Sequence, residues 1–429
     1  MAVAQLRADI LTARLADVTV PAGADWSATA RLQALERVTT LGLPHRRDEY
    51  WRYTNPATLV QPEAPAAAVF ATTDQPMFDA VDCLKLVFVD GHFDPDQSDA
   101  LVQDGLEIGL LSDATATKDH WIKDVYGVLE AHGQSPVPRG LAALNTAMAT
   151  DGVVIRASRR CDRPVHLIYQ QTDPLSDAVL HHVVQIGAGA SLTLLESGTA
   201  AARLSQVTEV DLADGAQFHH VRTQGRSHQR RAVTHCFARV GADSRFKSFT
   251  LGVNGALSRN ECIITMAGAD SSAHVAAATV GDGADFHHDD TVFITHAAVR
   301  CESRQVFKKV LRNGATGVFQ GKILVKPGAQ KTDGYQISQA LLLDDDSQFL
   351  AKPELEIYAD DVACSHGSTS GAIDETALFY LRSRGVPAAQ AADLLVLAFL
   401  AEALDEVEDE RLAEDLRTRL EGWLARRRP

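Results

Sequence analysis

The feature that most constrains the fold of this chain is a Gly-Ala pair that recurs through its middle region, residues 151–371. The first three steps between successive pairs are 26, 26 and 27 residues, and the later steps are 15, 31 and 14. Short alternating runs rich in Val, Thr, Phe and His separate the pairs, which indicates strands joined by glycine turns. One such unit per period is typical of a solenoid, so we predict a parallel β-helix, with an antiparallel sandwich or barrel as the alternative. The glycines of the pairs are Gly189, Gly215, Gly241, Gly268, Gly283, Gly314 and Gly328.

The chain before this region combines helical and strand patterns. The stretch "WSATARLQALERVTTLG" has apolar residues at helical spacing and a stop at Gly42, whereas "CLKLVFVDGHFD" predicts a strand that runs into a turn. The stretch "AALNTAMATDGVVIRA" predicts a short helix followed by a strand from Asp151 and Gly152. We therefore expect a mostly helical N-terminal domain with some strands over residues 1–150.

The chain after the repeat, residues 372–429, is predicted to be helical. Asp374 and Glu375 form an acidic cap at the start of the first helix. A second helix over 388–404 is apolar on nearly all sides, so it must be buried or bind a partner. The predicted fold class is mainly β, with a β-helix core over 151–371 between N-terminal α/β and C-terminal helical domains. The third helix carries an apolar stripe of Leu412, Leu416, Leu420 and Trp423.

Composition and charge exclude several classes of function. The net charge of −15 argues against a protein that binds nucleic acid, which normally has a basic footprint. The start of the sequence has charged residues where a signal peptide would be apolar. The longest apolar run, over 394–404, contains Glu402 and is too short to cross a bilayer. We expect a cytoplasmic protein with neither nucleic acid nor membrane among its partners.

Familiar enzyme motifs are incomplete in this sequence. The stretch "GATGVFQGKI" resembles a phosphate-binding loop, but Thr316 occupies the first glycine position and Ile323 replaces the hydroxyl residue that binds magnesium. Two Gly-Ala stretches each lack the third glycine of a dinucleotide-binding loop. In "HGSTSG", Thr369 stands where a nucleophilic serine is required. If the protein takes part in a process driven by ATP, another chain must supply the ATP site.

Six cysteines are scattered without a Cys-x-x-Cys pair, which argues against a zinc knuckle or a disulfide framework. Cys236 alternates in phase with small residues, and Cys262 shares a strand face with Ile264 and Met266, so we interpret both as core residues. Their positions are 83, 161, 236, 262, 301 and 364.

The stretch "YADDVACSHGSTSG", residues 358–371, places a thiol and an imidazole two residues apart. In an extended strand Cys364 and His366 share one face, a pair of donors that suits zinc, copper or iron–sulfur species. Two ligands cannot complete a tetrahedral site, so other ligands must come from elsewhere. Asp360 and Asp361 precede the pair and add carboxylates.

Two adjacent histidine pairs, at 219–220 and 287–288, lie at the same offset from a Gly-Ala pair. Equivalent places in a repeat suggest stacking in successive coils, with only one member of each pair pointing inward. A structural role for His219, His220, His287 and His288 is favoured, because an isolated histidine rarely makes a site. Asp289 and Asp290 keep a metal role open.

Three long stretches resemble the SufB/SufD family, the scaffold subunits of the SUF iron–sulfur cluster assembly complex. The resemblance is strong from about residue 140 to 405 and continues weakly in "EYWRYTNP". Within the family the SufD branch fits better, because SufB is longer and has a Cys-Glu-His-Glu motif where this chain has Cys364-Ser365-His366-Gly367. The three stretches span 317–349, 352–371 and 378–386.

The resemblance implies a right-handed parallel β-helix that pairs with a SufB paralogue, and C-terminal helices that dock the ABC-type ATPase SufC. A homodimer is expected where SufB is absent. The resemblance further implies a transient iron–sulfur cluster at the SufB interface, with none held permanently by this chain alone. His366 and Cys364 would be its ligands from this side, and Asp360 or Asp361 would orient His366 or assist iron entry. The implied function is a non-catalytic scaffold.

Two alternatives come from other functional classes. A β-helical carbohydrate-active enzyme would cleave its polymer unaided, although such lyases are usually exported. A stand-alone metal-binding protein is disfavoured because Cys364 and His366 lack nearby companions in the sequence. The sequence does not indicate which cluster type is carried, which proteins donate iron and sulfur, or whether the complex holds a flavin.

Overall fold

The structure is a computed structural model that describes residues 2–16, 18–70, 76–225 and 227–426. Within these ranges the strands are β1 (Leu84–Val89), β2 (His92–Asp94), β3 (Val102–Gln103), β4 (Leu106–Leu110), β5 (Val153–Ala157), β6 (Val165–Gln170), β7 (Asp177–Ile186), β8 (Ser191–Gly198), β9 (Arg203–Leu212), β10 (Gln217–Gln224), β11 (Arg231–Val240), β12 (Arg245–Val253), β13 (Leu257–Met266), β14 (Ser272–Asp282), β15 (His287–His296), β16 (Glu302–Arg312), β17 (Thr316–Val325), β18 (Thr332–Leu342), β19 (Gln348–Ile357) and β20 (Val362–Gly371). The α-helices are α1 (Ala2–Leu15), α2 (Asp25–Leu41), α3 (Ala57–Val60), α4 (Leu111–Ala116), α5 (Val128–His132), α6 (Gly140–Met148), α7 (Glu375–Ser383), α8 (Ala388–Leu404) and α9 (Glu410–Arg426).

The strands from β5 to β20 wind into a parallel β-solenoid. Even-numbered strands from β6 to β20 form sheet A, and odd-numbered strands from β5 to β19 form sheet B. Each strand pairs in parallel with the strand two places along the chain, so every coil contributes one strand to each sheet. This confirms the β-helix prediction and rules out the antiparallel sandwich.

The irregular spacing of the Gly-Ala pairs has a geometric cause. Most pairs lie at the corner where the chain passes from sheet B to sheet A, but Gly283 and Gly314 lie at the opposite corner. The coils also lengthen along the solenoid, since Gln217 faces Arg245 whereas Glu302 faces Asp333. The steps of 15 and 14 residues are therefore changes of corner, whereas the steps of 26, 26, 27 and 31 residues are whole coils of increasing length.

Close stacking of the corners explains why glycine recurs there. A Cβ atom on Gly268 would lie 1.9 Å from the backbone nitrogen of Ala242 in the preceding coil. Gly215 has a φ of 70°, a left-handed conformation that side chains disfavour. The repeat visible in the sequence is thus a consequence of backbone packing at the corners.

Three apolar layers hold the molecule together. The interior of the solenoid is filled by side chains from both sheets, including Leu194, Phe246 and Ile294. The outer face of sheet A packs against α8 and α9, through residues such as Phe249 and Leu400. N-terminal helices cover the outer face of sheet B, where Phe237 and Val207 are buried.

The N-terminal 150 residues contribute both helices and strands. The helix α2 ends at Gly42, which has a φ of 75°, and α6 is followed by β5, as the sequence predicts. The hairpin of β1 and β2 extends sheet A, and antiparallel β4 and β3 extend sheet B. The division of the chain at residues 150 and 371 stays a prediction.

The C-terminal helices fold back along the side of the solenoid. Asp374 caps α7 by accepting hydrogen bonds from the backbone of Thr376 and Ala377. Ion pairs such as Lys247–Glu408, 2.9 Å long, hold the turn after α8 against sheet A. No helix among the described residues combines the length and apolarity needed to cross a bilayer. The predicted stripe on α9 is buried: Leu412, Leu416, Leu420 and Trp423.

Candidate functional site

The last strand, β20, lies at the open end of sheet A. It pairs with β18 on one side, and the order of sheet A ends there. Ten residues, "VACSHGSTSG", form this strand, and none of them is charged or is proline. Natural edge strands are usually protected by charges, proline or a covering element, so an unprotected edge favours pairing with another chain.

The neighbouring edge strand, β19, has a different character. It carries Lys352, Pro353, Glu354 and Glu356 along ten residues. Proline cannot donate a ladder hydrogen bond, and charged side chains oppose apolar pairing. Sheet B is therefore less suited than sheet A to direct extension by a second molecule.

Cys364 is half-buried at this end of the solenoid. It lies opposite Gly334 of β18 and packs against an apolar cluster that contains Ile323 and Leu355. A Cβ atom on Gly334 would lie 3.2 Å from the Cys364 sulfur, so the glycine leaves room for the thiol. Burial raises the pKa of the Cys364 thiol above its usual range, and the group keeps its proton near neutral pH.

His366 stands two residues further on the same face and is exposed. Its register partner in β18 is Gln336, whose side chain is buried in the solenoid. Across the described residues its imidazole makes no side-chain hydrogen bond or ion pair. Both ring nitrogens are therefore available to a partner or a metal ion.

The paired aspartates lie in the turn before β20 and are exposed. The backbone N–H of Asp361 donates to the side chain of Gln330, 2.9 Å away. No hydrogen bond joins either Asp360 or Asp361 to His366 in the described chain. Their predicted role in orienting His366 or admitting iron stays a prediction.

Metal binding by this chain alone lacks a complete ligand set. Among the described residues, no group of three or more His, Cys, Asp or Glu side chains is placed to hold a metal ion. Cys364 and His366 therefore present two donors at an open edge, and a metal ion bound there would need further ligands.

Sequence reasoning missed the glutamines beneath this edge. The amide nitrogen of Gln336 donates to the side-chain oxygen of Gln305, 2.9 Å away, and both residues are fully buried. The oxygen of Gln336 and the nitrogen of Gln305 have no further partner in the described structure. A Cβ atom on Gly321 would lie 2.0 Å from the Gln336 amide, so this glycine is required. The only signal in the sequence is their spacing of one coil.

The aromatic stretch "EYWRYTNP" docks on the outer face of sheet B. The Arg259 guanidinium lies over the Trp51 ring at 4.0 Å, and the Thr54 hydroxyl donates to Asp289 at 2.5 Å. Tyr50 contacts the last coil, where its hydroxyl donates to the Glu354 carboxylate. The stretch therefore fastens the N-terminal helices to the solenoid up to its open end.

The segment "GKILVKPGAQKTDGYQ" forms the end of β17, a turn and the start of β18. Lys322 pairs with Glu356 of β19, and Gln330 accepts the hydrogen bond from Asp361. These contacts give the segment a structural role as strand and turn residues of the last coils.

The two histidine pairs do not stack on each other. His220 belongs to sheet A and donates a 2.8 Å hydrogen bond to the Glu196 carboxylate, whereas His288 belongs to sheet B and contacts Asn260. The stacking interpretation is wrong because the two Gly-Ala pairs lie at opposite corners. One member of each pair does point inward; His219 and His287 are on the outer faces, and His287 contacts Thr54.

The remaining cysteines include one pair in register. Cys236 and Cys262 both face the interior and lie directly opposite each other on β11 and β13. The core interpretation is confirmed for Cys262, whereas Cys236 is only partly buried against the same cluster. Cys161 and Cys301 are buried beside backbone carbonyls.

Apolar side chains are exposed on the C-terminal helices. Phe379 and Tyr380 of α7 are 72% and 54% exposed, and Leu394 of α8 is 45% exposed. The opposite side of α8 is buried against sheet A. The second helix is thus partly buried and partly available to a partner.

Comparison with known proteins covers nearly the whole chain. A profile described as the SUF system FeS cluster assembly, SufBD core domain, matches residues 168–399, and one for the SufBD protein N-terminal region matches residues 23–167. The chain is 26% identical to the iron–sulfur cluster assembly protein SufD of Escherichia coli, over 90% of this chain and 91% of that protein. It is 25% identical to SufD of Bacillus subtilis, over 91% and 92% of the two chains. A SufBD family protein of Synechocystis is 29% identical, over 88% and 86%.

Proposed function

The chain belongs to the SufBD family of the SUF iron–sulfur cluster assembly system, and from this premise we propose that it is a non-catalytic scaffold subunit. Its part in iron–sulfur cluster assembly follows from the family. The finer proposal is that the open end of sheet A pairs with a SufB-type paralogue and that the cluster forms at this junction.

The observation that carries the proposal is the unprotected edge of β20 with His366 exposed upon it. Pairing through β20 would continue sheet A into the second chain and satisfy the free backbone groups of the edge. The same edge would accept a second copy of this chain when the paralogue is absent.

His366 is proposed to supply an imidazole nitrogen to the nascent cluster. Cys364 is the second donor on the same face, but its protonated, half-buried thiol must lose a proton before it binds metal. The remaining ligands would come from the paralogue. Asp360 and Asp361 are proposed to attract iron to the edge or to orient His366 once the partner is bound.

The C-terminal helices are proposed to dock the SufC-type ATPase. Phe379, Tyr380 and Leu394 are exposed apolar side chains of the kind that a partner would cover. The ATPase would also provide the nucleotide site that the motifs of this chain lack.

The cluster site is tested by His366→Ala in the complex reconstituted anaerobically with the SufB-type and SufC-type proteins of the same host. We expect the complex to form and the yield of cluster, measured by its visible absorption and iron content, to fall at least several-fold. His92→Ala is the matched control, because His92 is 77% exposed at the other end of the solenoid. Normal cluster yield with His366→Ala would refute the proposed ligand.

The docking of the ATPase is tested with Phe379→Asp rather than by deletion of the helices. Removing residues 372–429 would uncover the buried face of sheet A, including Phe249 and Val306. We expect Phe379→Asp to weaken ATPase binding at least tenfold in a titration followed by calorimetry. Val102→Asp, at a side chain 79% exposed at the first end, should leave binding unchanged.

A further inference from the structure

Two thiols face one small cavity inside the solenoid, far along the chain from the β20 edge. The cavity has a volume of about 30 Å³ and is lined by residues of strands β9 to β16. Cys236 and Cys262 line it, together with Arg222. A space of this size holds a water-sized molecule.

The two cysteines are placed by the register of the sheet. Cys236 of β11 is the direct partner of Cys262 of β13, and both side chains are on the interior face. Paired strands are about 4.8 Å apart, which is within the range of about 4.4–6.8 Å that a disulfide allows between Cα atoms. The next positions of the same ladder are Thr208 and Val292, so the thiols form an isolated pair.

Neighbouring groups act on the Cys262 sulfur in opposite directions. The pKa of the Cys262 thiol is raised well above its usual range, first by the neighbouring Cys236 thiol and then by burial, so Cys262 keeps its proton. Arg222 acts in the opposite direction on this pKa. Its guanidinium donates to the hydroxyls of Thr234 and Thr250 at 2.9 and 3.2 Å and makes no ion pair within the described chain. Arg222 also lowers the pKa of the buried Glu196 carboxyl, and the Glu261 and Asp290 carboxyls line the same cavity.

We propose that Cys236 and Cys262 are a modification site, a dithiol that a small hydroperoxide converts to a disulfide inside the solenoid. The Cys236 thiolate attacks one peroxide oxygen, the O–O bond breaks, and Cys236 becomes a sulfenic acid as hydroxide leaves. The sulfur of Cys262 then attacks the Cys236 sulfur, loses its proton, and displaces water as the S–S bond forms. The thiols lose two electrons, and hydrogen peroxide is reduced to two water molecules.

Cys236 is assigned the first step because more of its side chain is accessible from the cavity than that of Cys262, which is 8% exposed. The bond would tie two successive coils together and close the loop of chain between β11 and β13. A crosslink of this kind restricts the unfolded chain, so oxidation should stabilise the fold. The thiol pair lies on β11 and β13 and is separate from the proposed cluster site at β20.

The test uses the full chain, purified anaerobically with its thiols reduced and then exposed to hydrogen peroxide. Remaining thiols are alkylated, and trypsin separates the two cysteines into the peptides 232–239 and 260–300. We expect mass spectrometry to find these peptides linked and two hydrogen atoms lighter than their sum, and dithiothreitol to release them. The melting temperature should rise by a few degrees on oxidation and fall again on reduction.

The matched variants separate this pair from the other thiols. Cys236→Ser and Cys262→Ser should each abolish the linkage and the rise in melting temperature, whereas Cys301→Ser should keep both. The proposal is overturned if wild-type protein treated with peroxide shows both thiols still open to alkylation after denaturation, or if either cysteine is linked to another position. Peptide mapping of the wild-type chain decides this even where a variant fails to fold.

Discussion

The two ends of the solenoid differ in how completely they are built. At the first end, the hairpin of β1 and β2 and the antiparallel β4 close the sheets, and Leu86, Phe88 and Val165 are fully buried. At the last end, β19 and β20 contain no buried residue, and the chain turns away along sheet A. A solenoid needs a cap at each terminus to be stable in water. This difference supports the proposal that a second molecule caps the last coil.

The largest expected loss of stability comes from a substitution in the core of the first, closed end of the solenoid. Phe88→Ala should lower the free energy of unfolding by about 3–5 kcal/mol, because a fully buried aromatic ring leaves a cavity. Phe349→Ala, in β19 of the open end, should cost less than half as much because Phe349 is only partly buried. Urea unfolding followed by circular dichroism measures both. Equal losses would contradict the proposed difference between the ends.

A buried carboxyl group between sheet B and the N-terminal helices should also make the free energy of unfolding depend on pH in the neutral range. Glu209 is fully buried, and burial raises its pKa to about 8, against an ordinary value of 4.5. The folded state therefore binds this proton more tightly than the unfolded chain, so stability falls as the pH rises from 4.5 to 8. Glu209 also accepts the backbone N–H groups of Gly127 and Glu130 at 2.8 and 2.7 Å.

Glu209→Gln should flatten this pH dependence by on the order of 2–4 kcal/mol between pH 5 and pH 8, as seen in melting curves recorded at each pH. Asp360→Asn, at an exposed carboxyl of the open end, serves as the control and should leave the profile unchanged. An identical pH profile for Glu209→Gln and wild type would show that the carboxyl is already ionised in the folded state.

A smaller effect is expected at the thiol of the open end. Cys364→Val keeps the apolar packing against Ile323 and Leu355, so the free energy of unfolding should change by less than about 1 kcal/mol. Cluster yield in the reconstituted complex then isolates the chemistry of the thiol. A loss equal to that of His366→Ala would make Cys364 a ligand of equal weight, and normal yield would leave it a packing residue.

The smallest effect is expected on the outer surface of the last coil. Lys352 lies 3.8 Å from the centre of the Tyr50 ring and pairs with Glu49 at 2.7 Å. Lys352→Ala should cost about 0.5–1 kcal/mol, since exposed pairs contribute little. The cost should shrink in 1 M salt if charge dominates, and a loss above about 2 kcal/mol would show that the aromatic stretch stabilises the open end strongly.

Much of the fold could be predicted from local patterns. The strands, the glycine corners, the cap at Asp374 and the stop at Gly42 each depend on neighbouring residues or on one short period. The alternation of side chains also placed Cys364 and His366 on one face, because a strand has a period of two. These features need no knowledge of what lies next to them in space.

Only the tertiary structure decided which residues meet. The interpretation that His220 stacks on His288 was wrong because the Gly-Ala pairs before them lie at opposite corners. Which corner a pair occupies depends on the summed lengths of the strands and turns before it. The lengths of the strands and turns also placed Cys236 opposite Cys262, and Gln336 opposite His366. The members of each pair are a full coil apart in the sequence. Local sequence therefore determined the strands and their faces, whereas register between coils, and with it the open edge and the buried thiol pair, was set by long-range packing.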